Sequence, residues 1–438
     1  MTSSSDTKAR SDSASSRAVA LALLSGVLRD GKPVDSRFQK VAGTLESRDR
    51  AFVRLLVATT LRHLGQIDAV LGHFIVRTPV PPVEDSLRLG AAQILFLDTA
   101  PHAAVDTSVE LVKRVRQAKM TGLVNAVLRK VVKQGKNLLR QQDAIRLSAP
   151  SWLWDGWVKA YGNHAARAIA KAHLTEASLD VSLRDPGSIE MWVEELNAFI
   201  LPTGSLRCEA SGRIQELPGF EEGAWWVQDA AAALPAKVLL QALGETKGKT
   251  VADFCSAPGG KTLQLAAAGC AVTSIDKSEA RLSLLQDNLK RVDLKAEVVK
   301  EDILHWTPKC MFDAVLLDAP CSATGTLRRH PDLGYIKSRK EIRKHPHIQE
   351  ALLRKAATAV YPGGNIVYAV CSLEPDECAA VVDSVANEAG LSRIPIHAKS
   401  LGAKSDWIDE AGAFRTLPSF WPDYGGLDGF YIALLKKV

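Results

Sequence analysis

None of the seven cysteines forms a CxxC pair, so neither a zinc ribbon nor a dithiol redox motif is written into the chain. Their scattered spacing excludes a disulfide framework and suits a reducing compartment. No apolar run reaches the roughly 20 residues that span a bilayer. The N-terminus, MTSSSDTKARSDSASS, is Ser-rich and lacks the apolar core of a signal peptide. These absences predict a cytoplasmic protein without membrane association or a metal site, beginning with a disordered tail over residues 1–15. Acidic residues are missing between Lys113 and Arg140, where nine basic residues fall.

That gap locates the charge. Residues 1–140 hold 22 Lys and Arg against 12 Asp and Glu, a net +10, and the rest of the chain carries −4 of the overall +6. A basic module joined to a near-neutral body suits a polyanion partner, while a solvated basic face explains the same count. Lys113, Arg114, Arg116 and Lys119 surround a short connection, and Arg129, Lys130, Lys133 and Lys136 follow on the next helix, a surface suited to phosphates.

The 438 residues, 46% hydrophobic, are enough for two or three domains. Over 16–140 the apolar residues recur at helical spacing in RAVALALLSGVL (17–28), in two helices broken near Gly65 (48–75), and in 87–97, 104–115 and 123–134. This predicts an all-α domain of five or six helices. Residues 141–222 begin with the Trp-rich SAPSWLWDGWVKAYG and continue as a helix and short strands in LDVSLRD, AFILPTGSLRCEA and GRIQELPGF, an α+β linker module. Trp152, Trp154 and Trp157 are suited to base stacking, but their spacing on a helix favours packing. Over 223–438, strands at 250–256, 271–277, 296–302, 312–320 and 364–372 alternate with helices, which predicts a parallel sheet covered on both faces. The last strand, 430–437, follows a turn and is expected as an antiparallel edge.

VADFCSAPGGKT (251–262) organises this last region. An apolar strand ends at Cys255-Ser256-Ala257-Pro258, two glycines turn the chain, and Lys261 opens a helix whose free N–H groups face a ligand. The stretch is neither GxGxxG nor GxxxxGK[ST], so the dinucleotide and P-loop readings fail. Asp276, Asp302 and Asp318 end the next three strands and converge on the crevice where open α/β sheets bind ligands. Asp276 is placed for the hydroxyls of a ribose and Asp302 for an adenine edge. Cys321 and Cys371 follow strands four and five and face the same crevice. A disulfide between them is geometrically possible, and the reducing compartment argues against it. Cys208, Cys270 and Cys310 suit small apolar packing.

The motifs DFCSAPGGKT, DAPCSATGTLRRHPD and VYAVCSLEPDE together resemble the RNA cytosine-C5 methyltransferases. DRAFVRLLVATTLRHLGQID, LRLGAAQILFL and LVNAVLR resemble the NusB-type RNA-binding bundle. With both present, the chain resembles the RsmB/Fmu/Sun family of ribosomal RNA methyltransferases, over residues 17–438 and most strongly over 225–438. The resemblance implies a NusB-like bundle over 16–140, a linker module over 141–222 and a Rossmann-like class I methyltransferase domain over 223–438. It implies S-adenosyl-L-methionine as cofactor, held by Cys255, Ser256, Ala257, Pro258, Gly259, Gly260, Lys261, Asp276, Asp302 and Asp318, with Lys261 at the methionine carboxylate or simply at the helix start. It implies Cys371 as nucleophile and Cys321 as the thiol of product release, with Asp318 at the cytosine edge. The implied partner is small-subunit (16S) ribosomal RNA, free or in an early assembly intermediate, acted on by a monomer. Arg328, Arg329 and His330 are expected within reach of a phosphate or the thiol. Cys378 stands where the family commonly has Asn and is expected as a packing substitution.

Two rivals stand beside this reading. One keeps the chemistry on tRNA or another RNA. The other keeps the fold as a non-catalytic RNA-binding ribosome-assembly factor, against which the complete set Asp318, Cys321 and Cys371 weighs.

Overall fold

The computed structural model describes the backbone of residues 3–209 and 212–438, with side chains from Ser16 onward. The tail expected over residues 1–15 lies outside the described side chains. The chain divides into two units, one comprising residues 1–175 with 327–338, the other residues 176–326 with 339–438.

The first unit is helical. It contains α1 (Ser3–Asp30), α2 (Val34–Ala42), α3 (Ser47–Arg62), α4 (Leu64–Gly72), α5 (Pro81–Phe96), α6 (Pro101–Arg114), α7 (Thr121–Arg140), α8 (Ala144–Leu147) and α9 (Ser151–His173). Helical spacing sorts α7 into two faces: Val124, Val127, Leu128 and Val131 are buried, while Arg129, Lys130, Lys133 and Lys136 are exposed. Each such fully buried Val or Leu contributes about 1.5–3 kcal/mol. Gly90 on α5 lets α6 and α7 pack close, since a Cβ there would stand 2.6 Å from Leu128 and from the Ser108 hydroxyl. Two details depart from the sequence reading. The short α2 carries too few apolar residues to announce itself, and the break between α3 and α4 falls at His63, ahead of Gly65.

The second unit holds two sheets. The smaller joins β1 (Leu179–Leu183), β2 (Ala198–Ile200), β3 (Leu206–Cys208) and β4 (Trp225–Val227) in the antiparallel order β2-β3-β1-β4, with α10 (Ile189–Glu195) alongside. Its buried Arg207–Asp180 pair, 2.6 Å apart, ties β3 to β1. GRIQELPGF is not a strand: Pro and Gly leave it a 3-10 turn at Ile214–Glu216, and the fourth strand is Trp225–Val227 instead.

The larger sheet is built from β5 (Thr250–Phe254), β6 (Ala271–Asp276), β7 (Glu297–Lys300), β8 (Phe312–Asp318), β9 (Val360–Val370), β10 (Leu391–Ile394), β11 (Phe414–Arg415) and β12 (Tyr431–Lys437). Its order is β10-β12-β9-β8-β5-β6-β7, with β11 beside β12. Strands β5 to β9 are parallel, and β12 runs antiparallel to β9. The helices are α11 (Leu234–Leu243), α12 (Gly260–Ala267), α13 (Glu279–Val292), α15 (Arg339–Ile342), α16 (His345–Ala359) and α17 (Ala379–Val385). Period-two alternation puts Phe254, Val315, Leu317 and Tyr368 in the core with α16 and α17, and Val251, Ala314, Leu316 and Val367 in the core with α11. The terminal strand is antiparallel as expected but is not an edge. A further strand, β10, covers it on the far side.

Residues 327–338 belong to the helical unit. There α14 (Leu333–Ile336) packs Tyr335 and Ile336 against the helical core, and the Tyr335 hydroxyl donates to the Leu61 carbonyl at 3.0 Å. The stretch 141–222 is divided: α8 and α9 belong with the helices and β1–β4 with the second unit. Among the described residues no helix is long and apolar enough to cross a membrane.

Candidate active site

Five strand ends meet along one edge of the large sheet. After β5 the chain turns through Cys255, at φ +60°, and Gly259, at φ +108°, before α12 begins at Gly260. The left-handed Gly259 is required twice over, because a Cβ there would also stand 3.0 Å from Leu285. The Ala257 amide donates to Asp276 Oδ2 at 3.3 Å, and the Ser278 amide donates to its Oδ1 at 2.9 Å, so the β5 and β6 ends are tied through one carboxylate. Arg281 lies 3.5 Å from the same carboxylate and donates to the Ala257 carbonyl.

Of the expected carboxylates, Asp276 is buried at the end of β6 and Asp318 half-buried at the end of β8. Asp302 lies two residues beyond β7, where it caps a turn by accepting from the Leu304 amide at 3.0 Å. Lys261, 9% exposed, donates to Asp318 at 2.7 Å and stands 5.5 Å above the Phe430 ring. Burial pushes its ammonium toward neutrality, but Asp318 and Asp253 outweigh that and raise its pKa above the ordinary lysine value. Beneath the turn, burial drives Asp253 up to about 7, against the single hydrogen bond it accepts from Thr262 at 2.6 Å. The Cys255 thiol is pushed up first by burial, then by the negative charges of Asp318, Asp276 and Asp253. Each of the three also bonds the turn or the start of α12: Asp276 at the Ala257 amide, Asp318 at Lys261 and Asp253 at Thr262.

The two thiols stand at the ends of adjacent parallel strands. Cys321 Sγ and Cys371 Sγ are 3.4 Å apart, both free, each half-buried. The hydrogen bond to Cys371, with burial and the charges of Cys371 and Glu377, raises the Cys321 thiol well above its ordinary value. Either sulfur can be the donor in the 3.4 Å contact between them. The Gly325 amide donates to the Cys371 carbonyl at 3.0 Å, and Gly429 donates to the Gly325 carbonyl at 2.9 Å. A Cβ on Gly325 would stand 2.0 Å from the Gly429 carbonyl oxygen, so two backbones meet there at a distance only glycine permits.

The structure thus brings together the Cys255–Lys261 turn, Asp276, Asp318, Cys321 and Cys371. It places Arg328, Arg329 and His330 in the helical unit. Arg328 is fully buried and its carbonyl accepts from Arg62 at 3.0 Å; His330 Nδ1 lies 3.4 Å from Asp35, whose pKa it draws down to about 2. The expectation that this basic run serves a phosphate or the thiol fails for Arg328, which is fully buried; the His330 side chain stays 45% exposed beside Asp35. The tryptophans also pack. Trp157 is buried against His173 at 5.2 Å, Trp152 donates to the Gly334 carbonyl at 3.1 Å, and Trp154 lies under the Arg146 guanidinium at 4.9 Å. Cys378 is buried at the start of α17, its thiol donating to the Glu374 carbonyl at 3.1 Å. Sequence reasoning missed Ser322, Ser372 and Glu377, all fully buried. A signal was present: Cys-Ser recurs at 255–256, 321–322 and 371–372, each time at a strand end.

Residues 240–436 match the family described as 16S rRNA methyltransferase RsmB/F, and residues 14–133 match the NusB family. The ribosomal RNA small subunit methyltransferase B of Cronobacter sakazakii is 30% identical over 96% of this chain and 98% of its own length. The chain belongs to the RsmB/F family. The protein of the same name from Escherichia coli O127:H6 is 31% identical over 82% of this chain and 87% of its own. Among solved structures, that of PH0851 superimposes with a TM-score of 0.76 at 23% identity over 97% of this chain and 99% of its own, a likeness of fold. A methyltransferase homologue from Pyrococcus horikoshii gives 0.55 at 25% identity, over 67% of this chain and 97% of its own.

Proposed function

We propose that this RsmB/F protein transfers a methyl group from S-adenosyl-L-methionine to C5 of a cytosine in small-subunit ribosomal RNA. The observation that carries the reading is the thiol pair, Cys321 Sγ 3.4 Å from Cys371 Sγ, beside the Lys261–Asp318 pair. The residues of the β5 turn fit the cofactor. Three carboxylates converging on a glycine turn suit a cationic ligand with a ribose, and its two cations, Lys261 and Arg281, already lie against Asp318 and Asp276. Cys255 to Gly260 would line it, with Asp276 at the ribose, Asp302 toward the adenine and Asp318 and Lys261 toward the amino acid end. When bound, S-adenosyl-L-methionine supplies an electrophilic methyl carbon.

The chain's own residues do the rest. Cytosine C5 is too weak a nucleophile by itself. Addition of the Cys371 thiolate to C6 makes C5 enamine-like, and it can then take a carbon electrophile. Asp318, with Oδ2 engaged by Lys261, would share a proton with cytosine N3 through Oδ1, so that the ring nitrogen is protonated as the adduct forms. Loss of the C5 proton to solvent water leaves its electron pair to re-form the C5–C6 double bond as the C6–S bond breaks and Cys371 departs as the thiolate. Cys321, 3.4 Å away, is placed to donate a hydrogen bond to the departing Cys371 sulfur. The target base has to leave its stack to reach this crevice. The exposed cations of α6 and α7 supply a surface for the RNA backbone.

The test is transfer of label from methyl-labelled cofactor to unmodified small-subunit RNA, with bisulfite mapping of the product. Label in a bisulfite-resistant cytosine supports the reading. RNA binding without transfer supports the assembly-factor reading, and transfer only to tRNA reassigns the substrate.

A further inference from the structure

A buried carboxylate outside the chemistry above joins the two thiol turns. Glu377 is fully buried in the 3-10 turn Pro375–Glu377, between β9 and α17. Its Oε1 accepts from the Ser322 amide at 2.9 Å, His345 Nδ1 at 2.7 Å and Gln349 Nε2 at 3.3 Å. Its Oε2 accepts from the Ser322 hydroxyl at 2.5 Å and from the Ser372 hydroxyl. Ser322 directly follows Cys321, and Ser372 directly follows Cys371. The two hydroxyl oxygens are themselves 3.0 Å apart.

An ionised carboxylate cut off from water is tolerated only while its donors stay in place, and losing one leaves a buried charge under-solvated. Here the donors come from three segments: the turn after β8, the turn after β9, and one face of α16. Gln349 also holds the first of these turns through the Pro320 carbonyl at 3.0 Å. Ser322 is held at two atoms, so its turn cannot rotate. Ser372 is held at its hydroxyl by Glu377, while its carbonyl accepts from Arg415 at 2.9 Å. An apolar contact would tolerate slack between the turns; a charge with five donors does not.

We infer that Glu377 is a positioning residue that sets the separation of Cys321 from Cys371 by clamping the serine that follows each. The role in turnover rests on the methyl-transfer reading above; the clamp itself does not. Its direct test is phenylarsine oxide, which bridges two thiols only when they are close, used on the full chain without RNA or cofactor. Wild type is expected to bind it and Cys321→Ala to lose that binding. Glu377→Gln keeps the shape, because the amide oxygen serves the Oε1 donors and both hydroxyls can turn to accept from the amide nitrogen. It should stay within threefold of wild type. Glu377→Asp keeps the charge but retracts it by one methylene, and with Glu377→Ala it should lose at least tenfold. In methyl transfer, kcat should fall at least a hundredfold for Glu377→Ala and Glu377→Asp and less than tenfold for Glu377→Gln, with KM for the cofactor within threefold in each.

Folded Glu377→Ala that binds the arsenical like wild type overturns the inference, as does Glu377→Asp matching or exceeding Glu377→Gln. Should Glu377→Ala fail to fold, Ser372→Ala removes a single donor: weaker bridging and a lower kcat support the clamp, and no change in either overturns it. Wild type that bridges the arsenical but methylates no RNA sinks the reaction reading and leaves the clamp standing.

Discussion

Two carboxylates under the site share one degree of burial and differ in everything else. Asp253 lies beneath the β5 turn and Glu377 beneath the thiol turns, both fully buried. Asp253 accepts one hydrogen bond, from Thr262, its Oδ1 has no partner, and burial lifts it to about 7. For Glu377 burial also pushes upward, but His345, Ser322 and Ser372 more than offset it and hold the group below the ordinary glutamate value. Burial alone therefore does not decide ionisation; the supply of donors does. The difference follows the proposed function. The cofactor side needs a shaped turn, which glycine and packing provide. The thiol side needs two sulfurs at a fixed spacing, which a solvated buried charge provides.

The largest effect expected is at the thiols themselves. Cys371→Ala should lower methylation by about a thousandfold or more and form no covalent complex with RNA. Cys321→Ala should instead trap a protein–RNA complex on a denaturing gel. A trap in the first and turnover in the second would exchange the two roles.

Next comes the contrast between the carboxylates. A raised Asp253 costs stability as pH climbs from the ordinary carboxylate value near 4 to about 7, and the cost is constant above that. Asp253→Asn should remove it, a gain approaching about 4 kcal/mol at pH 8 and vanishing near pH 4. A depressed Glu377 has the opposite sign: it stabilises above the ordinary glutamate value, and that contribution drains away as pH falls below it. Thermal melts of Asp253→Asn and wild type from pH 4 to pH 8 check this, and parallel curves would mean the two carboxylates do not differ in charge.

On the cofactor side, Asp276→Ala should raise KM for S-adenosyl-L-methionine about a hundredfold while leaving arsenical bridging of the thiols intact. An equal loss on both sides would show the two halves to be one cooperative unit. Smallest is the helical surface. Charge reversal at Lys130 and Lys133 should weaken RNA binding about tenfold and reduce the salt slope by about 1.4, the share of two phosphate contacts. An unchanged slope would leave that face as solvated charge.

The two halves also differed in how much could be read beforehand. The parallel strands were legible because runs such as VADF and AVLLD are apolar on both faces, as a doubly covered sheet requires. The β5 turn, Asp276, Asp318 and both cysteines were legible because strand ends in such a sheet converge on one crevice. The clamp was not. Its residues are Ser, His, Gln and Glu, individually ordinary, and only folding brings position 322 beside positions 372 and 377. Arg328 to His330 show the converse: a basic run beside a catalytic motif looks functional in sequence, yet the chain has by then crossed into the helical unit, where Arg328 is buried. The smaller sheet was partly missed because three-residue strands carry too little alternation to be told from turns.

The position of β12 has a further consequence. It is the last strand in the chain, yet it lies inside the sheet, paired with β9 along the length that ends at Val370, one residue before Cys371. Just ahead of it, Gly429 is bonded to Gly325 in the Cys321 turn. The turns that carry the two thiols are thus held from a segment more than fifty residues further along the chain. A break in the chain between Gly429 and β12 would therefore loosen the strand that ends beside Cys371 and the glycine contact of the Cys321 turn together.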